Sequence, residues 1–582
     1  MSNTTTTLKA DHQLITAENV DPVTVELVRN GLIAASEEMK TVLMRTAYNM
    51  IIYEALDFTV GLFDAKGQTL SISLGLPMFI RGMGDSVRAK VAHYGPDGID
   101  PGDILVTNDA YITGSHLNHP TFSQPIFYEG KLVAFATCMA HWPDIGGILA
   151  GVTTDIYAEG LQLPIVKYYR KGVLNEELQE IIRMNVRVSD RAMGDLRAQL
   201  ACIRAGARKF EALLDRYGCD AVLASIDAIM NHSEAASREH IRAIPDGTYE
   251  AESFMDDDAV DIGKPVPLRV KVIVKGDEMT VDLSNVSPQV KGFYNTGAGE
   301  ACAQVALKCL AAPQDFPIND GTYRPLTVIS PKGTVLNATK PAPMRLWMTY
   351  PMTVIDTIFR ALAPALPDRV IAGHHADLMV AMINGIHPRD NKLFLHLGGL
   401  IGGGWGAKAH EDGVSGTICI NDGDTHNGPT EQVENKVPML IRKYALREDS
   451  AGAGRQRGGL GTHQEFEALS PINFQTRIER VNNPPRGLEG GGPGLGNLVA
   501  LKRKGDVEET VFGNGKVTNR LEVGDSCILR SGGGGGFGPP SERSLDALRE
   551  DVRQGYVSIE GAWKSYGVRF DPKSLEVLER RQ

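Results

Sequence analysis

The sequence has no C-x-x-C pair, although it holds seven cysteines, Cys138, Cys202, Cys219, Cys302, Cys309, Cys419 and Cys527. An odd number scattered along the chain fits neither a disulfide framework nor a thiolate zinc ribbon, and is expected of free thiols in a reducing compartment. No apolar run reaches the ~20 residues of a bilayer-spanning helix; the stretch 350–366 is broken by Asp356 and Arg360. The opening MSNTTTTLKADHQLITAENVD lacks the apolar core of a signal peptide, so the expected location is cytoplasmic. Positive charge is in deficit: 60 Lys+Arg against 71 Asp+Glu give a formal charge of −11. That argues against a general nucleic-acid binder and leaves room for a local basic pocket.

Familiar nucleotide and hydrolase motifs are also missing. There is no G-x-x-x-x-G-K-[ST]; GNGKVT at 513–518 is nearest and lacks the first Gly at its proper distance. No G-x-S-x-G elbow, H-E-x-x-H or strand-placed G-x-G-x-x-G occurs. GGGGGFG at 532–538 follows a strand-like DSCILR but runs into Pro539-Pro540, leaving no helix N-terminus for a phosphate. It is expected to be a tight turn. PPRGLEGGGPGLG at 484–496 is read the same way, with Arg486 either contacting an anionic ligand or simply solvated.

What is present is an ordinary globular balance, 42% hydrophobic and 23% charged over 582 residues. That length is about three to five domains' worth of chain. Asp21 as N-cap, Pro22 in the first turn and Val25, Val28, Leu32 and Ile33 at helical spacing predict a first helix ending near Tyr48. From there to about 165 short apolar runs alternate with Gly, Asn, Asp and Pro, and FYEGKLVAF predicts a hairpin turning at Glu129-Gly130. Residues 174–242 predict long helices, and RVKVIVKGDEMTVDLSNVS a β-meander turning at Gly276-Asp277. Helical patterns return near 297–311 and 350–364, and 541–567 predicts an amphipathic tail helix. The expected fold class is α+β and multi-domain, of mixed helices and β-meanders. The expected units are an N-terminal α+β domain at 20–243 carrying the candidate site and long helices, a β-rich middle domain at 244–349, an α/β Gly-rich segment at 350–445, a C-terminal β-rich domain at 446–540 and a helical tail at 541–582.

The densest group of metal-ligating residue types is NDAYITGSHLNHP followed by MAHWPDIGG: Asp109, His116, His119, His141 and Asp144. Imidazoles three apart can share one face of a turn, and a third from the mouth of a strand some 25 residues on can close the site. Neutral imidazole with a carboxylate suits Zn, Mn or Fe and is poor for Mg or Ca. The competing reading is polar histidines capping turns. His374-His375 with Asp377 is expected to be a surface or helix-entry pair, because adjacent residues on a helix point apart. His410-Glu411-Asp412 and Asp422-Gly423-Asp424-Thr425-His426 are expected to be solvated turns.

From about Asp21 to Pro540 the chain resembles the B subunit of the hydantoinase/oxoprolinase family. The segments carrying the resemblance are VLMRTAYNMIIYEALDFTVGLFD, NDAYITGSHLNHP, AHWPDIGG, DLSNVSPQ, NDGTYRPL, GAGRQRGGLG, PPRGLEGGGPG and GDSCILRSGGGGGFGPP. The resemblance implies a partner A subunit that binds ATP and Mg, and joint hydrolysis of a cyclic amide such as a hydantoin, 5-oxoproline or a lactam. Ketone carboxylases acting on acetone or acetophenone are relatives in the same superfamily. It also implies a divalent metal, Zn or Mn, held here by Asp57 of EALDFT, by His116 and position 119 of SHLNH, and by His141 of AHWPD. Asp144 is then the candidate for orienting a ligand imidazole or acting as general base, a role Glu54 could share. The chain departs from the family pattern in two places: His119 stands where many members have Asp, and Trp142 where the hydrolases commonly have a second His. Three readings follow: a metal-dependent amidohydrolase subunit, a subunit of an ATP-dependent ketone carboxylase, and a scaffold subunit without metal.

Overall fold

Asp21 caps the first helix as its residue type demands, its Oδ2 accepting from the Thr24 N–H at 2.9 Å, with Pro22 in the first turn. In this computed structural model, which describes residues 15–311, 318–398, 400–420, 423 and 425–581, that helix runs Pro22–Thr46. It buries Val25, Val28, Leu32, Ala35, Met39 and Leu43, while Ile33 faces outward at 36% exposure. The buried stripe lies against the helices Ser189–Tyr217 and Cys219–Arg242, the long helices expected in 174–242.

These helices cover one face of a seven-stranded sheet built from β1 (Phe58–Asp64), β2 (Thr69–Leu74), β3 (Ile104–Thr107), β4 (Thr121–Tyr128), β5 (Lys131–Ala140), β6 (Val166–Arg170) and β7 (Val173–Leu174), in the order β2-β1-β5-β4-β3-β6-β7. The β4–β5 hairpin turns at Glu129 and Gly130, both in the left-handed region at φ 48° and 78°, as a two-residue turn matched to strand twist requires. β5 is buried on both faces. Ala134, Ala136, Cys138 and Ala140 join the core under the long helices, whereas Phe135 and Met139 join the core of the middle sheet. The alternation continues past the strand end, and it decides where His141 and Trp142 go.

The middle sheet is β8 (Gly247–Met255), β9 (Val266–Lys275), β10 (Glu278–Asp282) and β11 (Leu326–Ile329), in the order β11-β10-β9-β8 with the expected turn between Lys275 and Glu278. Val266, Leu268, Val270, Val272 and Val274 point inward at every second position, and the helix Thr349–Leu362 packs across them. Beyond it come β12 (Ala381–Ile386), β13 (Leu393–Gly398), β14 (Met439–Leu446), β15 (Thr462–Ala468), β16 (Ile472–Thr476), β17 (Leu498–Lys502), β18 (Thr510–Val511), β19 (Thr518–Leu521) and β20 (Ser526–Arg530). They form two sheets, β13-β12-β16-β19 and β14-β15-β20-β17-β18, so in both the strands within 381–446 pair with strands from 462 onward.

Gly532–Gly536 is not the tight turn its composition suggests. The segment is extended and buried, and surrounding chain meets it from several directions. Gly533 N–H donates to Leu495 O, Gly534 to Gly459 O, Gly535 to Gly373 O and Gly536 to Gly492 O, while Gly404, Gly452, Ala407 and Leu488 donate to its carbonyls. Glycine is needed because a Cβ on Gly534 would lie 2.0 Å from Trp405 O, and one on Gly535 2.0 Å from Arg486 O. The tail also differs from expectation. Gly555, at φ 71°, separates two short helices, Leu545–Arg553 and Ile559–Tyr566, and a hairpin of Val568–Phe570 with Val577–Arg580 follows. No helix among the described residues is long and apolar enough to cross a membrane.

Candidate metal centre

Three separated segments meet at the C-terminal end of β5. The short helix Ala110–Thr113 stops at Gly114, φ 77°, and the loop back to β4 carries His116 and His119. Asp109 serves as the N-cap of that helix, Oδ1 accepting from the Tyr111 N–H at 3.0 Å. Asn108 pins the loop between the two histidines, its Nδ2 donating to Leu117 O at 2.8 Å. His141 follows β5 directly, and its N–H donates to the Asp57 carbonyl at 3.1 Å. Asn118 and Trp142 join the two histidine segments reciprocally, Trp142 N–H to Asn118 O at 2.8 Å and Asn118 Nδ2 to Trp142 O at 3.0 Å. Asp57 enters from a kink at Leu56, φ 58°, where a non-glycine residue sits in the left-handed region.

The result is a trio of imidazoles, His116, His119 and His141, each offering a ring nitrogen within 4.8 Å of the others. His116 Nδ1 donates to Arg345 O at 2.9 Å, which leaves Nε2 as the lone-pair nitrogen. His119 Nε2 meets Asp57 Oδ1 at 2.9 Å, leaving Nδ1. His116 Nε2, His119 Nδ1 and His141 Nδ1 are all buried without a hydrogen-bond partner, an arrangement costly to a fold unless something binds there. Burial holds His116 well below the usual imidazole range and His119 and His141 at about 3, so all three are neutral, the form that ligates metals. Burial raises Asp57 to about 6, partly offset by His141. Three unprotonated nitrogens are a donor set that could hold Zn, Mn or Fe, while the expected fourth ligand, Asp57, is not in that group and instead engages His119 Nε2.

The centre opens on a 290 Å³ cavity whose wall includes Asp57, His116 and His141, with His119 fully buried behind them. Met348, Leu378, Val380, Met382, Phe394 and Leu397 make much of the remaining wall apolar, and Arg345, Arg191 and Lys436 supply its cations. Sequence reasoning missed Arg345, since nothing in PAPMRLW announces it. Its backbone N–H and that of Met344 donate to the buried Glu159 carboxylate at 3.0 Å each, which fixes the carbonyl that His116 needs. Glu159, pushed up to about 7 by burial, was equally silent in sequence.

The other expected site residues are placed differently. Asp144 lies on the cavity wall, but Oδ1 accepts from Arg187 Nη1 at 2.7 Å and from Gly146 N–H at 3.2 Å, and Oδ2 accepts from the Arg187 N–H. Glu54 is not on that wall; its Oε1 accepts from Gln432 Nε2 at 2.7 Å. Trp142 is fully buried on the opposite side from His141, its indole N–H donating to Gln199 Oε1 at 2.8 Å.

His374 and His375 are not a surface pair: both are fully buried on an irregular segment leading to β12, with Asp377 buried beside them. His374 Nδ1 faces Asp356 Oδ1 at 3.5 Å, and no third ligand gathers there among the described residues. His410 and His426 are exposed, as expected of solvated turns, but Asp412 is tied to Arg543. Asp422 and Asp424 lie outside the described residues.

Comparison with known proteins finds relatives over nearly the whole chain. The profile of the hydantoinase B/oxoprolinase family matches residues 21–540. The caprolactamase subunit beta of Pseudomonas jessenii is 34% identical over 575 residues, covering 95% of this chain and 97% of its own length. A crystal structure of the ATP-dependent caprolactamase of that organism superposes with a TM-score of 0.89 at 31% identity, covering 96% of this chain and 98% of that one. A nucleotide-free acetone carboxylase structure shares the fold, with a TM-score of 0.88 at 19% identity over 98% of this chain and 82% of that one.

Proposed function

The chain belongs to the hydantoinase B/oxoprolinase family, and from that premise we propose that it is the ring-opening subunit of an ATP-dependent cyclic amide hydrolase, acting on a hydantoin, 5-oxoproline or a lactam beside an ATP- and Mg-binding A-type subunit. The observation that carries the reading is the convergence of His116, His119 and His141 beside one cavity, whose wall includes His116 and His141, with Asp57 bonded to His119. Asp57 and the three histidines would hold a divalent transition metal, Zn ahead of Mn. Bound there, the metal supplies a Lewis acid that lowers the pKa of water towards ~7. The chain's own residues do the rest. Arg345 O fixes the His116 tautomer and Asp57 fixes His119. The apolar wall excludes bulk water from an activated amide, and Arg345 is a cation for the negative charge that phosphorylation by the partner would add. Asp144, held by Arg187, braces the loop after His141 and thereby orients that imidazole. Seven unpaired cysteines support a reducing, cytoplasmic setting.

The test is elemental analysis of the purified chain beside His116→Ala and His141→Ala, followed by ATP-dependent opening of cyclic amides with the partner added. The expected result is about one transition metal per chain, lost in both variants together with activity. Metal retained in both variants, or full activity without it, would overturn the site. Bicarbonate-dependent formation of a carboxylated product would replace hydrolysis with carboxylation.

A further inference from the structure

A second cavity of 320 Å³ lies apart from the histidines, and its wall carries Arg360, Arg480 and Arg486 with a single carboxylate, Asp356. Asp356 is already committed: Arg480 Nη2 donates to its Oδ2 at 3.2 Å and His374 approaches its Oδ1. Arg480 is 4% exposed, and its Nε is buried with no partner. Arg360 spends Nη1 on the Glu252 carbonyl, at 2.7 Å. No hydrogen bond or ion pair among the described residues holds the Arg486 guanidinium, which projects from the exposed edge of the cavity. Arg486 is nonetheless fixed in place, because its carbonyl accepts from the Gly373 N–H at 2.8 Å, against the glycine segment. Burial and the repulsion of Arg486 lower the pKa of Arg360, and Asp356 and Glu252 offset part of that; Glu252 is itself paired with Arg269 at 2.6 Å.

Among the lining residues three guanidinium groups meet one carboxylate, an excess of two positive charges on the wall of a polar, partly enclosed space, since Glu252 nearby is paired with Arg269. A carboxylate ligand would cancel one of them; a phosphate dianion cancels both and offers the oxygens that guanidinium forks pair with. We infer that the cavity between the end of the helix Thr349–Leu362 and the 480–487 segment is a phosphate-binding site, separate from the histidine centre. The phosphate could be inorganic phosphate or the phosphoryl group of a nucleotide.

Calorimetric titration of the full chain with inorganic phosphate, and separately with AMP, tests this. The same titrations are run on His116→Ala, in which phosphate cannot be reporting on the histidine centre. Saturable phosphate binding is expected in both proteins, weakened about 10-fold or more in Arg486→Gln and in Arg360→Gln. Both variants remove cations at the edge of the cavity and leave the buried Arg480–Asp356 pair intact. AMP competing with phosphate, and weakened by the same variants, would identify the nucleotide as the source; phosphate binding without AMP competition would identify the free anion. No saturable binding of either, or binding unchanged in both variants, overturns the site. So would an Arg486→Gln chain that binds phosphate normally but no longer associates with its partner subunit, since the arginines would then be an interface. Phosphate binding that survives in His116→Ala stands even if the amidohydrolase reading fails.

Discussion

Among the described residues, two groups of histidines in the interior look alike in sequence and differ in almost everything else. His116, His119 and His141 converge from two segments, His116 and His141 on the wall of a cavity and His119 behind them, with lone-pair nitrogens left open and Asp57 bonded to one ring. His374 and His375 are neighbours on one irregular segment, their ring centroids 6.2 Å apart and nearly perpendicular. His374 is engaged by Asp356, and the His375 ring fills the space above Gly403, where a Cβ would come within 2.3 Å of it. Burial and unpartnered nitrogens occur in both groups, so neither property by itself marks a centre. Convergence of side chains from separate elements does, because only that gives one ion several donors at once.

The comparison breaks most sharply if the wrong group proves essential. His116→Ala and His141→Ala should each cut ATP-dependent ring opening by more than about 100-fold and strip the metal, since even outer partners of metal ligands cost 10–100-fold. Asp57→Asn should fall within that lower range, about 10–100-fold in metal affinity measured by chelator competition, because the His119 contact survives in a neutral form. His375→Ala should leave metal content unchanged and instead lower folding stability by about 3 kcal/mol, read by denaturant unfolding, as removal of a fully buried ring leaves a cavity.

That same substitution has a pH signature. Burial, with His374 and Arg480 nearby, holds His375 at about 3 in the folded chain, against ~6.5 when unfolded. The unfolded state therefore binds the extra proton between those values, and stability is lost as pH falls from about 6.5 towards 3. His375→Ala should flatten the slope of unfolding free energy over that window, whether or not metal is present. The smallest effect belongs to Glu54→Gln, expected to keep activity within about 2-fold, since the Gln432 bond it would alter is off the cavity wall and worth about 1 kcal/mol. A large loss there would move the proton-transfer group away from the histidine wall.

The sequence made the histidine cluster legible through local cues: two imidazoles three residues apart, and a third at a strand end followed by Pro-Asp-Ile-Gly-Gly. It could not show that β5 alternation sends Trp142 into the helical core and His141 to the cavity. It also could not show Arg345 or Glu159, whose parts in the centre depend on contacts with His116 and Met344 far away in the chain. The first helix and both hairpin turns were readable because a cap, a proline or a glycine sets them locally. The glycine run was misread for the opposite reason. Its conformation comes from the segments packed around it, and a run of glycines carries no periodicity to distinguish a core strand from a turn.

That run also constrains the gene. Every glycine codon begins GG, so a change in its first or second base inserts at least a Cβ, and at residues 532–536 that Cβ would meet a carbonyl oxygen at 2.0–2.7 Å. Third-base changes there are silent. The five codons form a short stretch where a drifting lineage keeps the first two bases of each codon while the third is free, and where saturation mutagenesis should return synonymous survivors almost alone.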